Sequence, residues 1–389
     1  MSGASRPARG GRPDGGGAVV AAEAIRVRVP FRRPIVTSAG RWSHRESWIV
    51  RLFDVADEVG VGEAALDFDA GEAVVAGLAR LVREAVESAR DVGRLPSTAE
   101  LEAELQAAGV ARRALRCALD SALLDLRLQG SAAPHGAPRS VAVNATIGFL
   151  DVSETEEAAR AAVAAGFGTL KLKAGPERDA AALVQRVAAV RGAVGPEVRL
   201  RLDVNGAWDV ATARERIAAV APYRIEYVEQ PVAAGHPSDL AAVHERSPVP
   251  IAADEAVGSV AAARELLAAR AADVLVVKPA RVGGPAAAWE IADLAATAGV
   301  PVVISTLFET GVGLAGALAV AAGLPAVGGA TAALTHGLAT AELLESDLLT
   351  RAPRVVDGRM IVPEGLGLGI ALDEEALRRY AVEWQGCRP

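Results

Sequence analysis

The chain has 389 residues, is 51 % hydrophobic and carries 41 Lys and Arg against 48 Asp and Glu, a formal net charge of −7. That is enough apolar material for one large domain and a smaller companion, while the acidic balance, without a basic stripe or aromatic platform, argues against a nucleic-acid partner. No apolar run has the length of a membrane span, so no membrane partner is expected, and Cys117 and Cys387, far apart and without metal-ligand spacing, suit a reducing cytoplasm.

Residues 1–17 are rich in Gly, Arg and Pro and lack an apolar h-region, so they read as a disordered leader and not as a signal peptide. From 18 to 138 strands precede helices. Strands are expected over 19–29 and 47–53 and around Val61-Gly62-Glu63, and helices over roughly 71–92, 99–108 and 111–128, a compact α+β unit. The Pro- and Gly-containing stretch 134–138 reads as a linker. Beyond it, from 139 to 340, the pattern becomes strict alternation. Apolar strand candidates cover 141–147, 169–173, 198–203, 226–229, 251–254, 274–278 and 302–305, with a weaker eighth near 332–336, and segments rich in Ala, Arg and Glu separate most of them. Eight βα units over about 200 residues predict a (β/α)₈ barrel. An open doubly wound sheet has little support, because no Gly-x-Gly-x-x-Gly follows a first strand.

Only three lysines occur, Lys171, Lys173 and Lys278, against 38 arginines. A chain that uses Arg wherever a plain positive charge will do keeps Lys where a proton has to come off. Lys171 and Lys173 are two apart on one expected strand, so they share a face. The last polar residues of successive barrel strands are Lys173, Asp203, Glu229, Asp254, Lys278 and Ser305, spaced by 30, 26, 25, 24 and 27 residues, about one βα unit each. Barrel chemistry sits at the C-terminal strand ends. Three carboxylates are therefore expected to meet there, flanked by lysines. Like charges about 4 Å apart repel by roughly 4 kcal/mol at an effective dielectric near 20. A hard divalent ion would remove that repulsion: an all-oxygen set favours Mg²⁺, with Mn²⁺ a possible substitute. Such an ion would hold a substrate carboxylate and stabilise the enediolate formed on deprotonating the adjacent carbon. Asn205 shares the face of Asp203 and is expected to orient a ligand or water. Arg201, one step deeper, either lines the core or pairs with a carboxylate. Glu255 points the other way from Asp254, as a support or as a partner of Lys173 or Lys278. His336 reads as a pocket wall and not as a base, and His44 as a solvated loop residue.

The order Lys-x-Lys, Asp-x-Asn, Glu-Gln-Pro, Asp-Glu, Lys-Pro resembles the enolase superfamily, specifically its muconate-lactonizing subgroup, over nearly the whole chain beyond the leader. The resemblance implies a modified (β/α)₈ TIM barrel with an N-terminal α+β capping domain, completed by a C-terminal segment, 341–389, that packs back on cap and barrel. It implies Asp203, Glu229 and Asp254 as Mg²⁺ ligands, Lys173 as the base and Lys278 as the opposing lysine. Lys171 would tune Lys173, whose pKa this neighbour and burial beneath the cap would lower. Mandelate-racemase-type members carry a His-Asp dyad where Lys278 stands, and dipeptide epimerases carry Asp-x-Asp where this chain has Leu334-Thr335-His336, so both are disfavoured.

Within the subgroup, four stretches are most similar to the o-succinylbenzoate synthase family: 201–208, 226–231, 251–255 and 305–313, the last including Ser305, Thr306 and Glu309. Many relatives have Ser-Ser where this chain has Ser305-Thr306. The resemblance implies dehydration of a small carboxylate, 2-succinyl-6-hydroxy-2,4-cyclohexadiene-1-carboxylate, to 2-succinylbenzoate in menaquinone synthesis. Arg32, Arg33 and Ser38 in one cap loop, and 63–67 in another, are expected to close over the succinyl tail. The alternatives are N-acylamino-acid racemisation, a muconate-type cycloisomerisation, and a non-catalytic barrel that binds a dicarboxylate. Nothing in the residue pattern specifies an oligomeric state.

Overall fold

The computed structural model describes residues 19–37, 40–68, 70, 72–92, 109–129, 139–325, 327 and 334–386. The expected leader, helix 99–108, linker 134–138, Ser38 and Cys387 lie outside the described residues, as does part of the eighth strand.

The N-terminal unit opens with β1 (Val19–Thr37), β2 (Gly40–Asp54) and β3 (Val59–Ala65), which are longer than the expected strands, followed by α1 (Glu72–Val92) and α2 (Gly109–Gln129). β1 runs on past Pro30 because its pairing with β2 shifts register between Pro30 and Ile35, which accommodates residues that cannot donate to a ladder. The sheet is buried on both faces. Ala22, Ala24, Trp48, Val50 and Leu52 pack under Leu78, Val82, Leu115 and Leu119 of the two helices, while Ile25, Val27, Val29 and Ile49 pack on Val312, Leu344, Leu348 and Leu377 from the rest of the chain. That is the period-two alternation of a strand with an apolar layer on either side. Helix α2 lies so close on β3 that a Cβ at Gly62 would stand 1.9 Å from the Ala118 carbonyl oxygen, so only glycine fits.

The expected first barrel strand, 141–147, is corrected to two short pieces. β4 (Ser140–Ala142) is antiparallel to a C-terminal strand, and β5 (Ala145–Ile147) enters the barrel. Between them Val143 and Asn144 bond to neighbouring chain instead of continuing either ladder. Helix and strand then alternate: α3 (Val152–Ala164), β6 (Thr169–Lys173), α4 (Ala180–Val194), β7 (Arg199–Asp203), α5 (Val210–Val220), β8 (Ile225–Glu229), α6 (Pro237–His244), β9 (Ile251–Ala253), α7 (Val260–Ala268), β10 (Val274–Val277), the short α8 (Pro279–Val282), α9 (Pro285–Thr297), β11 (Val302–Ile304) and α10 (Gly311–Ala322). Side-chain caps at Asp151, Asp179, Asp209, Ser259 and Thr310 start the helices, each accepting a bond from an otherwise orphaned N–H of the first turn.

The C-terminal part supplies β12 (Val355–Val356), β13 (Arg359–Ile361), α11 (Glu374–Tyr380) and β14 (Ala381–Gly386). Among the described residues there are three sheets. The cap order is β14-β1-β2-β3, β12-β13-β4 form a small antiparallel sheet, and the parallel sheet runs β11-β10-β9-β8-β7-β6-β5. Parallel bridges Val143–His336 and Ser305–Gly337 join its two edges and close the ring; among the described residues these bridges stand where the eighth strand was expected. Inside lie Tyr227, Ala252, Val274, Val276 and Val303. Leu170, Leu172, Leu200, Leu202 and Val228 point outward into the helical layer. Lys171 and Lys173 therefore face inward together. Among the described residues no helix is long and apolar enough to cross a membrane.

Candidate active site

Strand register brings the expected residues to one end of the ring. Lys173 pairs with Asp203 and Asp203 with Glu229 across β6, β7 and β8. Asp254, Lys278 and Ser305 each follow the last residue of their strands. The turns leaving β7, β8 and β11 each hold a non-glycine residue with positive φ: Asn205 at 50°, Gln230 at 40° and Phe308 at 63°. Backbone strain of this kind concentrates where a site dictates the path.

The carboxylates meet cations before they meet one another. Lys171 Nζ lies 2.9 Å from both Asp203 Oδ2 and Glu229 Oε1. Lys173 Nζ donates to Asp203 Oδ2 at 2.7 Å and to Asn205 Oδ1 at 2.9 Å. Lys278 Nζ donates to Asp254 Oδ2 at 2.6 Å, and Arg281 holds the other oxygen at 2.9 Å. With the lysines on their oxygens, no three His, Cys, Asp or Glu side chains among the described residues stand together as a metal-ligand group, while register keeps Asp203 beside Glu229 and Asp254 at the end of the next strand. The ammonium groups stand between neighbours that the register places side by side.

Burial and charge set the titration of the cluster. Desolvation works against every ion here. It pushes Asp203 up, but Lys171 and Lys173 outweigh it and hold the carboxyl well below the carboxylate range. Burial likewise opposes Asp254, and Lys278 and Arg281 bring it down. Glu229 is the exception: burial and the Asp203 charge push it up to about 7. Lys171 loses by burial and gains more from Asp203 and Glu229, so it is firmly an ammonium. Lys173 is the open one of the three, its side chain 31 % exposed against 9 % for Lys171 and 11 % for Lys278. The expected burial of Lys173 beneath the cap is thus partial.

The oxygens suit a hard cation. Glu229 Oε2 is buried and finds no hydrogen-bond partner among the described residues. A carboxylate-only set with an orphaned oxygen fits Mg²⁺ better than a soft or nitrogen-seeking ion.

Around this cluster the remaining expected residues sort themselves. Arg201 is buried inside the ring and pairs with Glu226, Asn144 and the Thr335 carbonyl, with its guanidinium 4.6 Å above the Tyr227 ring. It ties four parts of the barrel together and touches none of the three carboxylates. Glu255 does not pair directly with a lysine; its Oε1 accepts from Asn205 Nδ2 at 3.0 Å. Ser305 Oγ donates to the Gly337 carbonyl at 3.3 Å and Thr306 Oγ1 lies 3.1 Å from Thr340 Oγ1, so both hydroxyls fasten the seventh strand end to the closing segment. His336 Nδ1 accepts from the Ile304 N–H, and burial beside Arg201 lowers its pKa to about 4. It is thus held neutral within the closing segment of the ring.

The cap residues expected near the substrate also bond within the chain. Glu63 is a buried staple, taking bonds from Ser47 Oγ, Thr310 Oγ1 and the Gly313 N–H. Glu309 packs beside it, raised to about 7 by burial and the Glu63 charge. Arg32 reaches the Glu342 carbonyl at 3.1 Å and Arg33 is exposed. Asp67 accepts from Arg281 at 2.7 Å.

Two residues escape the sequence reading. Gln230 is fully buried; its Nε2 is anchored on the Val232 carbonyl, and its Oε1 takes the N–H groups of Asp254 and Ala256. It therefore fixes the turn that presents Asp254. The signal was there, within Glu-Gln-Pro, but a glutamine's role is invisible until its neighbours are known. Arg281 links Asp254 to Asp67 of the cap. Among 38 arginines nothing in its spelling set it apart, save its place one turn after Lys278.

A parallel ring of this order beneath a cap sheet, with its polar residues gathered at the strand ends, is the enolase-type fold. The chain belongs to the enolase superfamily: the family described as Enolase C-terminal domain-like matches residues 154–376. It is 43 % identical over 210 residues to an o-succinylbenzoate synthase of Thermobifida fusca, covering 54 % of this chain and 62 % of that relative. It is 30 % identical over 377 residues to an N-succinylamino acid racemase of Thermus thermophilus, covering 94 % of this chain and 98 % of the relative. The fold superposes on the N-succinyl Arg/Lys racemase of Bacillus cereus with a TM-score of 0.82 at 22 % identity, over 95 % of this chain and all of that one. The chain thus spans about three fifths of the length of the synthase that it matches.

Proposed function

We propose that this protein is a Mg²⁺-dependent o-succinylbenzoate synthase that dehydrates 2-succinyl-6-hydroxy-2,4-cyclohexadiene-1-carboxylate to 2-succinylbenzoate. The observation that carries the reading is the placement of Lys173 and Lys278 on the strands flanking those of Asp203, Glu229 and Asp254. The 43 % identity to a synthase supports the choice of reaction.

Asp203, Glu229 and Asp254 would hold the ion, which would take up the charge that develops on the substrate carboxylate as the adjacent carbon loses its proton. Lys173, in its neutral form, would remove the proton from the ring carbon that bears the carboxylate. Its side chain is the most exposed of the three lysines, 31 % against 9 % for Lys171 and 11 % for Lys278, which favours it for that role. Lys278 would remain an ammonium and stabilise the enediolate oxygens by its field. When the enediolate collapses, the ring C–O bond breaks. Lys173 would then return its proton to the departing hydroxide, so water leaves from the face that lost the proton and the ring becomes aromatic. Four carboxylates (Asp203, Glu229, Asp254, Glu255) against Lys171, Lys173, Lys278 and Arg281 leave the cluster near neutrality. With Lys173 neutral, one divalent ion would give it a surplus of about one positive charge, suited to an anionic substrate.

The second reading is N-succinylamino acid racemisation on the same groups, favoured by similarity that runs along 94 % of the chain. Both lysines would then exchange the α-proton. Comparison of kcat/KM for the cyclohexadiene with that for α-proton exchange of N-succinylamino acids in deuterated water decides between them. The proposal expects the dehydration to be faster; exchange without any dehydration would replace it with the racemase reading.

A further inference from the structure

We infer that Asn205 is the positioning residue for Lys173, held in place by Glu255, and that it leaves the ammonium nitrogen a single open direction. The inference rests on the proposed base role of Lys173.

The amine nitrogen has three directions besides its own carbon. Asp203 Oδ2 at 2.7 Å and Asn205 Oδ1 at 2.9 Å take two of them. In the neutral amine two N–H groups serve these acceptors and the lone pair takes the third direction; in the ammonium a proton takes it. One set of contacts therefore serves both protonation states, and a proton is collected and delivered along one line. The amide cannot point otherwise. An ammonium has donors only, so the amide oxygen must face Lys173. On the far side Nδ2 donates to Glu255 Oε1 at 3.0 Å. Glu255 is anchored by chain position next to Asp254, so a Glu255–Asn205–Lys173 relay runs across from the turn after β9 to the end of β6.

A competing explanation needs only the backbone. Asn205 has φ of 50°, a left-handed conformation that Asn tolerates better than most residues and glycine tolerates best. The two explanations separate on Asn205→Gly, which preserves the backbone and removes the amide.

With only three lysines in the chain, protein labelled with ¹³C at lysine Cε gives three ε-methylene signals, each assignable by substitution. In wild type the two ε-protons of Lys173 are expected to be inequivalent, because the side chain is held. In Asn205→Gly that inequivalence collapses while the signals of Lys171 and Lys278 keep theirs. In the same variant kcat falls by about 100-fold, the order lost when a reacting group is misplaced by an ångström, whereas KM and Mg²⁺ affinity stay within about threefold. Asn205→Asp, which keeps both an acceptor for Lys173 and a tolerated backbone, retains more of kcat than the glycine variant. An unchanged Lys173 signal in Asn205→Gly overturns the inference, as does a loss of Mg²⁺ affinity matching the loss of kcat, which would place Asn205 in support of Asp203 alone. The labelling readout needs no substrate, so a wild-type enzyme that fails to dehydrate the cyclohexadiene counts against the proposed function and leaves the fate of Asn205 to the spectrum.

Discussion

Lys173 and Lys278 flank the same three carboxylates but are held in different ways. Lys173 is 31 % exposed and is fixed by groups from one strand end, Asp203 and Asn205. Lys278 is 11 % exposed, and its partner Asp254 is shared with Arg281, which continues to Asp67 in the cap. A group that must exchange a proton with substrate needs one unobstructed direction. A group that only supplies a field gains from burial, where each charge acts through a lower dielectric, and from bracing. Under the proposed reaction, the contrast would put the moving proton on the Lys173 side and the fixed charge, with the cap's anchor, on the Lys278 side.

The sharpest way to break that contrast is to remove each side. Chelation with EDTA should abolish turnover and Mg²⁺ should restore it; full activity in its presence would remove the ion from the account. Lys173→Ala should lower kcat by at least about 10³-fold, within the range for loss of a general base, with Tm and Mg²⁺ binding retained. Lys173→Arg should fail equally, since a guanidinium does not give up its proton at workable pH. Lys278→Ala should also lower kcat steeply, but without the racemase reading it should leave solvent exchange at the substrate carbon measurable, because Lys173 remains.

A smaller effect is expected on the braced side. Arg281→Met leaves Asp67 without its cation and Asp254 with Lys278 alone, and should destabilise the protein by about 3 kcal/mol in urea unfolding, the order found when one partner of a buried pair is removed. Asp67→Asn leaves Arg281 its bond to Asp254 and should cost about 1 kcal/mol. Equal costs would show that the brace does not pass through Arg281.

The smallest effect lies where the cap meets the ring. Glu309 is raised from the ordinary carboxylate value to about 7 by burial and by Glu63. The folded protein therefore binds a proton that the unfolded chain has released between about pH 4.5 and 7, so stability falls as pH rises through that window. Glu309→Gln keeps the acceptor for the Leu307 N–H and removes the titration. Its Tm should vary less between about pH 5 and 7 and exceed that of wild type above it; a parallel pair of curves would place the slope elsewhere.

Much of the site is legible in the sequence because strand register turns spacing into geometry. Intervals of 24 to 30 residues carry Lys173, Asp203, Glu229, Asp254, Lys278 and Ser305 to successive strand ends, and two-residue alternation sends Lys171 inward with Lys173. What the spacing cannot show is which of these groups bond to one another. Lys171 bridges Asp203 and Glu229, contacts that no spacing announces. Glu255 was expected to pair with a lysine, yet it holds Asn205. Arg281 and Gln230 act through partners 214 and 24 residues away, distances over which local pattern carries no information. The break at Asn144 and the bridges at His336 and Gly337 likewise depend on long-range closure of the ring. Spacing pointed to three carboxylates and a hard cation; the particular reaction was implied only by resemblance.

The most direct test of the account is to add the purified protein and Mg²⁺ to 2-succinyl-6-hydroxy-2,4-cyclohexadiene-1-carboxylate and follow the loss of the diene absorbance, with Lys173→Ala beside wild type. The account predicts rapid loss with wild type and none above background with the variant. Loss at equal rates in both, or none in wild type, would contradict it.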